Sequence, residues 1–389
     1  MGKASILIDA QDVAGARTGI PRATYFDLFP LTQVFERICF LITKDKFTSF
    51  TESDEYRSLC KSILRESSKF CKFDIVPKRP NNTILWIGQL LQGALKTSGF
   101  NCDVNYNSLF PLIFKKETNV LRIVRLHDPF SASNRAWKEL LRPGAKKHAL
   151  ARALRTRAFN LSLEGNTILV ANSNHTKEKF KEIYNLQDSA LEVIWPSVGF
   201  ATERPLRYRK NHQRKYLLSV MGQRQRKDPL YVINAWAEVA LELDLDFVNV
   251  GVIPLSGLSA RAIQLMLLGR LKLENNISFL ELKKLQEEAF ASVFCSHGEG
   301  FGLPVAESLF SGIPVIHNNL PVLEEISGPL IPSFDMNSPK KFIEVLSKLS
   351  LEDSYYHRIK ELSWSRGSMF THEVASEKWR SIITKYSID

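Results

Sequence analysis

Residues 291–318, ASVFCSHGEGFGLPVAESLFSGIPVIHN, constrain the fold of this chain more than any other stretch. A short apolar run leads into a loop with three glycines, and the next segment begins near Pro304 and ends at Gly312. Proline is favoured at the first position of a helix and glycine just after its end, so this segment is predicted to be helical. A second apolar run from Pro314 completes a strand–loop–helix–strand unit, which is typical of an α/β fold.

The glycine loop is predicted to bind an anionic, hydroxylated ligand. A loop that leads into a helix N-terminus presents backbone N–H groups and the positive end of the helix dipole, and glycines let a ligand approach closely. Glu299 lies in the loop and Glu307 lies one turn into the helix. Either carboxylate alone is explained as a cap that matches the dipole, but the pair favours hydroxyl acceptors around a phosphate-bearing ligand.

The sequence E-G-F-G-L-P-V-A-E, followed by a G-I-P-V strand, resembles the donor-site motif of retaining glycosyltransferases of the GT-B fold, family 4 or group 1. In that family the first glutamate and the following backbone amides hold the donor sugar, and the second glutamate binds the ribose hydroxyls. The resemblance therefore implies a catalytic, sugar-orienting role for Glu299. It implies donor contacts by Gly300, Phe301, Gly302, Leu303 and Glu307.

A second Rossmann-like unit is predicted to open at the strand KYLLSVM, which the basic loop GQRQRKD follows. The resemblance implies that Lys227 contacts the donor diphosphate and acts in catalysis. It leaves open whether Arg224 or Arg226 adds a second charge, because Gln223 stands where the family commonly has arginine. Fixed cations stabilise a leaving diphosphate, which gains charge in the transition state. A basic loop is otherwise often only solvated, but its place after a strand favours the functional interpretation.

The chain opens with the strand SILID and the loop QDVAGARTGIPR. This opening lacks the G-x-G-x-x-G fingerprint, so no nicotinamide cofactor is expected. The resemblance implies that Gly19 contacts the donor and Arg22 the acceptor, with Pro21 where the family often has a second glycine. The plain alternative is a strand–helix turn with a surface arginine.

The strand VLRIVRL is followed directly by His127, Asp128 and Pro129. Open α/β sheets bind ligands at the carboxyl ends of their strands. The resemblance places His127 against the donor sugar and the acceptor, as a catalytic residue, whereas a structural histidine is the alternative. Asp128 is predicted to be a loop or helix cap.

These patterns predict an α/β protein of the GT-B fold, with two Rossmann-like domains that face each other across a cleft. Residues 1–196 are predicted to form the acceptor-binding domain and residues 197–365 the nucleotide-sugar donor-binding domain. Residues 366–389 are predicted to form a helix that crosses back to the first domain. Strands at residues 276–280 and 329–332 are among the predicted elements of the second domain.

The chain has 52 Lys and Arg against 41 Asp and Glu, and its formal net charge of +11 favours an anionic partner. Five basic residues share one stretch with apolar residues at helical spacing, which predicts equally a solvated helix face or peripheral contact with an anionic membrane. The five are Lys146, Lys147, Arg152, Arg155 and Arg157. A nucleic-acid partner would rest on charge alone and is not expected.

The expected location is cytoplasmic, or peripheral on the inner face of the membrane. No apolar run approaches the roughly 20 residues that span a bilayer. The five cysteines lack metal-ligand spacing, which favours reduced thiols in a cytosolic protein. No cofactor is expected, and no metal, because no D-x-D motif follows a strand in the candidate site.

The predicted function is that of a retaining hexosyltransferase, which moves a hexose from a nucleotide sugar to a glycan or lipid-linked acceptor in surface polysaccharide assembly. The G-I-P-R opening resembles bacterial mannosyltransferases of polysaccharide assembly, which favours GDP-mannose as donor. The resemblance implies front-face attack without a covalent carboxylate nucleophile. The alternatives are a catalytically silent GT-B nucleotide-sugar-binding protein and a sugar-nucleotide epimerase. The donor base, the sugar, the acceptor, the linkage and the oligomeric state stay open.

Overall fold

The protein was analysed as a computed structural model, which divides into two compact units, Met1–Thr202 with His372–Asp389 and Glu203–Thr371. The unit boundaries lie about six residues beyond the positions predicted from the sequence, at 202/203 and 371/372. The structure describes residues 5–9, 19–43, 47–48, 51–52, 70–76, 102–107, 120–127, 163, 166–187, 191–198, 215–223 and 226–386.

The first unit contains a parallel sheet in the order β3-β2-β1-β4-β5-β6-β7. Helix α1 connects β1 to β2, α2 connects β6 to β7, and the C-terminal helix His372–Tyr386 packs on α1. The strands are β1 Ser5–Asp9, β2 Arg37–Thr43, β3 Phe70–Val76, β4 Val104–Asn107, β5 Leu121–Leu126, β6 Thr167–Ala171 and β7 Leu191–Val193; the helices are α1 Gly19–Val34 and α2 Asn174–Tyr184.

A buried ion pair joins α1 to β5 inside this unit. The Arg125 side chain donates from Nε to Asp27 Oδ2 at 2.8 Å and from Nη2 to Asp27 Oδ1 at 3.0 Å. Tyr106 donates its hydroxyl to Asp27 Oδ2 at 2.8 Å, and burial raises the pKa of Tyr106 well above its usual value, so the hydroxyl keeps its proton. The guanidinium lies 5.6 Å from the ring centroid of Trp379 on the C-terminal helix. One buried network therefore contacts α1, β4, β5 and the C-terminal helix.

The second unit contains a parallel sheet in the order β10-β9-β8-β11-β12-β13. From β8 the chain adds strands on one side, and from β11 it adds them on the other. The strands are β8 Tyr216–Ser219, β9 Asp246–Val250, β10 Leu271–Glu274, β11 Ala291–Phe294, β12 Val315–Asn318 and β13 Ser333–Phe334; the helices are α3 Pro229–Val239, α4 Ala260–Leu267, α5 Phe279–Glu288, α6 Leu303–Phe310, α7 Pro321–Ser327, α8 Pro339–Leu351 and α9 Asp353–Gly367.

The strand order of the second sheet reverses between β8 and β11. At such a switch point the loops that leave the two strands diverge, and a crevice forms at their carboxyl ends where open α/β sheets bind ligands. The basic loop follows β8 and the glycine loop follows β11. The topology thus brings together two motifs that are about 70 residues apart in the sequence.

Two strands predicted for the second unit were wrong. Residues 276–280 do not form a strand, because Ser278 caps α5: its side chain accepts from Glu281 N at 3.2 Å, and Glu281 Oε2 accepts from Ser278 N at 2.7 Å. Asn276 just before the cap has a left-handed backbone, with φ 54°. The strand that the structure does contain near residues 276–280 is β10, which ends just before them. The second strand, predicted at residues 329–332, lies slightly later in the sequence, at β13.

Among the residues that the structure describes, no helix is both long and apolar enough to cross a membrane.

Candidate functional site

The loops after β8 and β11 are joined by backbone hydrogen bonds. Lys227 and Ser296 form an isolated antiparallel bridge. On one side of the bridge Asp228 N donates to Cys295 O at 3.1 Å, and on the other His297 N donates to Arg226 O at 2.7 Å. We call residues 226–228 and 295–297 the loop clasp. It fixes the basic loop against the start of the glycine loop at the switch point.

The two faces of the loop clasp carry different side chains, because side chains alternate along extended antiparallel segments. Lys227 and Ser296 share one face, and the Lys227 ammonium lies 5.2 Å from the ring centroid of Phe294, two residues before Ser296. Arg226 and His297 share the opposite face. Arg226 therefore does not extend from the clasp beside Lys227, and Arg224, the other arginine proposed for this role, lies outside the described residues.

The opposite face of the loop clasp also carries Asp228. Its Oδ1 accepts from Tyr231 N at 3.2 Å and so caps α3, while its Oδ2 lies 3.6 Å from His297 Nε2. The His297 side chain is 57% exposed. This face thus pairs a capping carboxylate with an accessible imidazole.

A short segment after β9 packs closely against the basic loop. Gly251 has φ 136°, and a Cβ at this position would come within 2.7 Å of Gly222 N and of Met221 C. The buried Asn249 side chain donates to Met221 O at 3.2 Å and to Gly251 O at 3.0 Å. Gln223 N donates to the carbonyl of the residue after Gly251 at 2.8 Å. Only glycine at position 251 permits this approach, which fixes the start of the basic loop.

The glycine loop ends at Gly302, which is the N-cap of α6 and has φ 93°. The left-handed backbone favours glycine, and a Cβ there would lie 2.6 Å from Leu323 Cδ2, so that side chain would have to shift. The Phe301 ring is buried and packs edge-to-face on Phe370, with centroids 6.2 Å apart. Phe301 is therefore able to offer a ligand its backbone and not its ring, and Leu303 begins the helix with a half-buried side chain.

Glu299 is half-buried in the glycine loop and is positioned by Ser296. Ser296 Oγ lies 3.3 Å from Glu299 Oε1, 3.1 Å from Gly298 O and 3.2 Å from Arg226 O. Since the hydroxyl has one proton, it donates to one of these three oxygens at a time. Gly298 N donates to the same Oγ at 3.3 Å. The Glu299 carboxylate thus has a polar contact with the loop clasp.

Glu307 lies on α6 and is only 5% exposed. Its Oε2 accepts from Gln286 Nε2 of α5 at 3.3 Å. A buried carboxylate needs hydrogen-bond donors, because desolvation of the charge costs several kcal/mol. Glu307 is held by the helices and Glu299 by the loops, so the two carboxylates have separate supports.

Asn318, at the end of β12, was not identified from the sequence. Its Nδ2 donates to Ser296 O at 2.9 Å, and its Oδ1 accepts from Ser296 N at 2.9 Å. The side chain is buried. The sequence N-N-L-P after a strand indicates only a connection to the next helix, and the partner of the carboxamide is 22 residues away.

His317, beside Asn318, is buried with both ring nitrogens in contact. Its Nδ1 lies 2.9 Å from Asn318 O and its Nε2 lies 2.7 Å from Ser327 Oγ. A neutral ring satisfies both contacts, with Nδ1 donating and Nε2 accepting. Burial lowers the pKa of His317 to about 4.

This depressed pKa predicts an acid-dependent loss of stability. The unfolded chain binds a proton near the ordinary histidine pKa of about 6.5, whereas the folded protein does not until about pH 4. Stability should therefore be complete above about pH 6.5 and fall by up to roughly 3 kcal/mol as the pH drops towards 4. Urea unfolding at a series of pH values measures this, and His317→Gln, which can keep both contacts, should flatten the slope. His357→Gln is the exposed control. Equal slopes in wild type and His317→Gln would contradict the assignment.

The candidate residues of the first unit lie around its sheet. His127 follows β5 directly and is 7% exposed, and its carbonyl accepts from Asn172 Nδ2 at 2.8 Å. Gly19 is the first residue of α1. Arg22 is buried at 8% exposure, with its guanidinium carbon 5.7 Å from the Phe26 ring centroid, so the surface arginine of the plain alternative is excluded. Asp128 and the five basic residues of the 146–157 stretch lie outside the described residues.

In the described part of the chain, no three His, Cys, Asp or Glu side chains are grouped in a way that could hold a metal ion.

The second unit matches a class of known proteins. Residues 202–363, less than half of the chain, match the family model of glycosyl transferases group 1. The match lies almost wholly within the second unit, which is therefore similar to a group 1 glycosyltransferase domain.

Curated relatives come from O-antigen synthesis. The chain is 28% identical over 153 residues to the O-antigen chain mannosyltransferase RfbU of Salmonella typhimurium. The aligned residues cover 39% of this chain and 41% of RfbU. It is 37% identical over 81 residues to the O-antigen biosynthesis glycosyltransferase WclY of Escherichia coli. The aligned residues cover 20% of this chain and 23% of WclY. The chain thus aligns with less than half the length of these relatives.

Solved structures match over nearly the whole chain. HepE of Anabaena in complex with UDP has a TM-score of 0.68 at 12% identity and covers 98% of this chain and 100% of its own. WaaG, a glycosyltransferase involved in lipopolysaccharide biosynthesis, has a TM-score of 0.62 at 14% identity, and the match covers 98% of this chain and 99% of WaaG. At such identities the likeness shows the fold alone. The protein has the GT-B fold.

Proposed function

We propose that the protein is a retaining glycosyltransferase that moves a hexose from a nucleotide sugar to a glycan or lipid-linked acceptor in surface polysaccharide assembly. The observation that carries this proposal is the arrangement at the switch point of the group 1 domain. There a glycine loop that carries Glu299 leads into the N-terminus of α6, which carries Glu307. A second loop, joined to the first by backbone hydrogen bonds, supplies Lys227. The second unit takes the donor, and the first unit takes the acceptor.

Each residue of the donor site has a role that suits its support. Glu307, held by the helices, accepts hydrogen bonds from the ribose hydroxyls. The backbone amides of residues 300–303 and the Glu299 carboxylate hold the sugar, and the dipole of α6 favours the negative diphosphate. Lys227 stabilises the diphosphate as it leaves. In the first unit His127 and Arg22 act on the sugar and the acceptor, and Gly19 lies near the donor.

The reaction follows front-face attack. The acceptor hydroxyl forms a bond to the anomeric carbon as the bond to the diphosphate breaks, on the same face of the sugar. The leaving diphosphate accepts the proton of that hydroxyl. Glu299 orients the sugar and does not attack it, so no covalent intermediate forms.

GDP-mannose is the proposed donor. The G-I-P-R opening and the mannosyltransferase names of RfbU and of the E. coli relative WbdA support it. No metal is assigned, because backbone amides and Lys227 meet the diphosphate charge. Contact with an anionic membrane is proposed from the sequence of the 146–157 stretch.

The function is tested by thermal unfolding of the purified protein with GDP-mannose, UDP-glucose and the free nucleoside diphosphates. A ligand at 100 times its Kd stabilises the folded protein by about 2.7 kcal/mol, so one donor should raise Tm clearly above the rest. Transfer to an acceptor, or hydrolysis without one, should persist in a chelator. The absence of stabilisation by every nucleotide sugar would contradict the function. Stabilisation without transfer or hydrolysis would instead support the silent alternative, and a product of inverted anomeric configuration would exclude retention.

A further inference from the structure

The peptide of Ser296 leaves the sheet just beyond the last rung of its strand. The register of β11 and β12 runs from Ser292 opposite Val315 to Phe294 opposite His317. Beyond this rung, no β12 backbone group pairs with Ser296 within the described residues. Both polar groups of a buried peptide must still be satisfied, because an unmade hydrogen bond costs about 1–3 kcal/mol.

The carboxamide of Asn318 supplies the missing rung. Its Nδ2 donates to Ser296 O at 2.9 Å, and its Oδ1 accepts from Ser296 N at 2.9 Å. The carboxamide thus satisfies both backbone groups, as a neighbouring strand would. A carboxamide offers a donor and an acceptor side by side in one plane, which suits the N–H and C=O of a single residue. Asn318 is itself fixed, because its carbonyl accepts from His317 Nδ1 at 2.9 Å and its side chain is 2% exposed.

Ser296 is the residue through which this contact reaches the site. Its backbone lies opposite Lys227 in the loop clasp, and its hydroxyl lies 3.3 Å from Glu299 Oε1. A shift of Ser296 would therefore displace the Glu299 carboxylate, which this hydroxyl contacts. A misplacement of about 1 Å can cost roughly 10²-fold in rate, because binding groups act only in the right geometry.

We propose that Asn318 is a positioning residue that sets recognition of the transferred sugar and leaves recognition of the nucleotide to Glu307. This inference rests on the proposed function. Glu307 lies on α6 and accepts a hydrogen bond from Gln286, whereas the side-chain hydrogen bonds of Asn318 go to Ser296. The site therefore has two supports, one for the nucleotide and one for the sugar.

The test compares three variants in the full-length protein. Asn318→Asp keeps the shape but replaces the donating nitrogen with an oxygen that faces Ser296 O. Glu307→Gln keeps the helix contact but removes the charge. Asn319→Asp is the control, because it makes the same substitution at the next residue, whose side chain is exposed. The measurements are Kd for the nucleoside diphosphate, Kd for the nucleotide sugar, kcat, and the fraction folded at the assay temperature.

Asn318→Asp should have a Kd for the nucleoside diphosphate within about twofold of wild type. Its Kd for the nucleotide sugar should rise roughly tenfold or more beyond any change in the first Kd, and its kcat should fall by at least the same factor. Glu307→Gln should weaken the nucleoside diphosphate and the nucleotide sugar equally, and Asn319→Asp should match wild type. Loss of stability alone would lower the fraction folded without changing either Kd of the folded protein.

Unchanged sugar affinity and kcat in folded Asn318→Asp would overturn the proposal, and so would equal losses of nucleoside diphosphate and sugar affinity. If Asn318→Asp does not fold, Ser296→Ala tests the second step of the route, because it keeps the pairing with Asn318 and removes the hydroxyl from Glu299. Unchanged sugar affinity and kcat in Ser296→Ala would then overturn the proposal. Nucleotide-sugar binding by wild type is measured first. Its absence would contradict the proposed function, whereas its presence without the split would contradict only the role of Asn318.

Discussion

Lys227→Ala is expected to lower kcat by roughly 10²- to 10³-fold, which is the range for losing one fixed group that stabilises transition-state charge. The lysine follows a strand at the switch point, and the backbone hydrogen bonds of Arg226 and Asp228 on either side of it hold it in the loop clasp. Its charge matters most as the diphosphate leaves. The affinity for a donor fragment without phosphate should therefore change little. Steady-state kinetics with the best donor of the thermal-shift series measure the effect.

Arg226→Ala is the matched control for this prediction. Arg226 is the neighbouring basic residue of the loop clasp, but its side chain extends from the opposite face. Its removal changes the net charge by the same amount as Lys227→Ala. We expect a kcat within a few-fold of wild type. If Arg226→Ala loses as much as Lys227→Ala, the loop acts through its summed charge and the assignment to Lys227 is wrong.

Arg125→Met is expected to destabilise the first unit by roughly 3–5 kcal/mol, because it leaves a buried carboxylate without its counter-ion. Asp27 would keep the hydrogen bond from Tyr106, and Ala171 O would lose the donor that Arg125 Nη1 gives it at 3.1 Å. The C-terminal helix would also lose the contact between the guanidinium and Trp379. Urea unfolding, followed by circular dichroism, measures the change.

The control replaces the whole network with apolar groups of similar size. Buried ion pairs replaced in this way often give equal or greater stability, because the desolvation cost of both charges disappears. The triple variant Asp27→Leu, Tyr106→Phe and Arg125→Met should therefore recover most of the loss. A triple variant as unstable as Arg125→Met would show that shape and not charge pairing holds the network.

The sequence predicts those parts of the donor site that depend on local chemistry. Pro304 and Gly312 mark the two ends of the helix, and the positive φ of Gly302 favours glycine there. The supports of the site could not be predicted in this way. Asn318 contacts a peptide 22 residues away, and Arg125 pairs with a carboxylate 98 residues away. Such partners are set by strand order and register, which no local pattern encodes.

The misplaced strands have an equally local cause. Residues 276–280 contain more apolar side chains than the alternating sequence LKLE of β10, so apolar content alone favours the wrong segment. The capping box of Ser278 and Glu281 gave the opposite signal, since it marks a helix start. An edge strand with one solvated face is short and half polar, and sequence analysis tends to miss it.

Because backbone hydrogen bonds join the two strands of the loop clasp, a change of an outward side chain leaves those bonds themselves in place. Arg226 and His297 extend from that face, and His297 is largely accessible to solvent. These two positions are therefore suited to saturation libraries or to a fluorescent label beside the site. Substitutions at these two positions keep the backbone bonds of the framework that carries Lys227 and leads to Glu299.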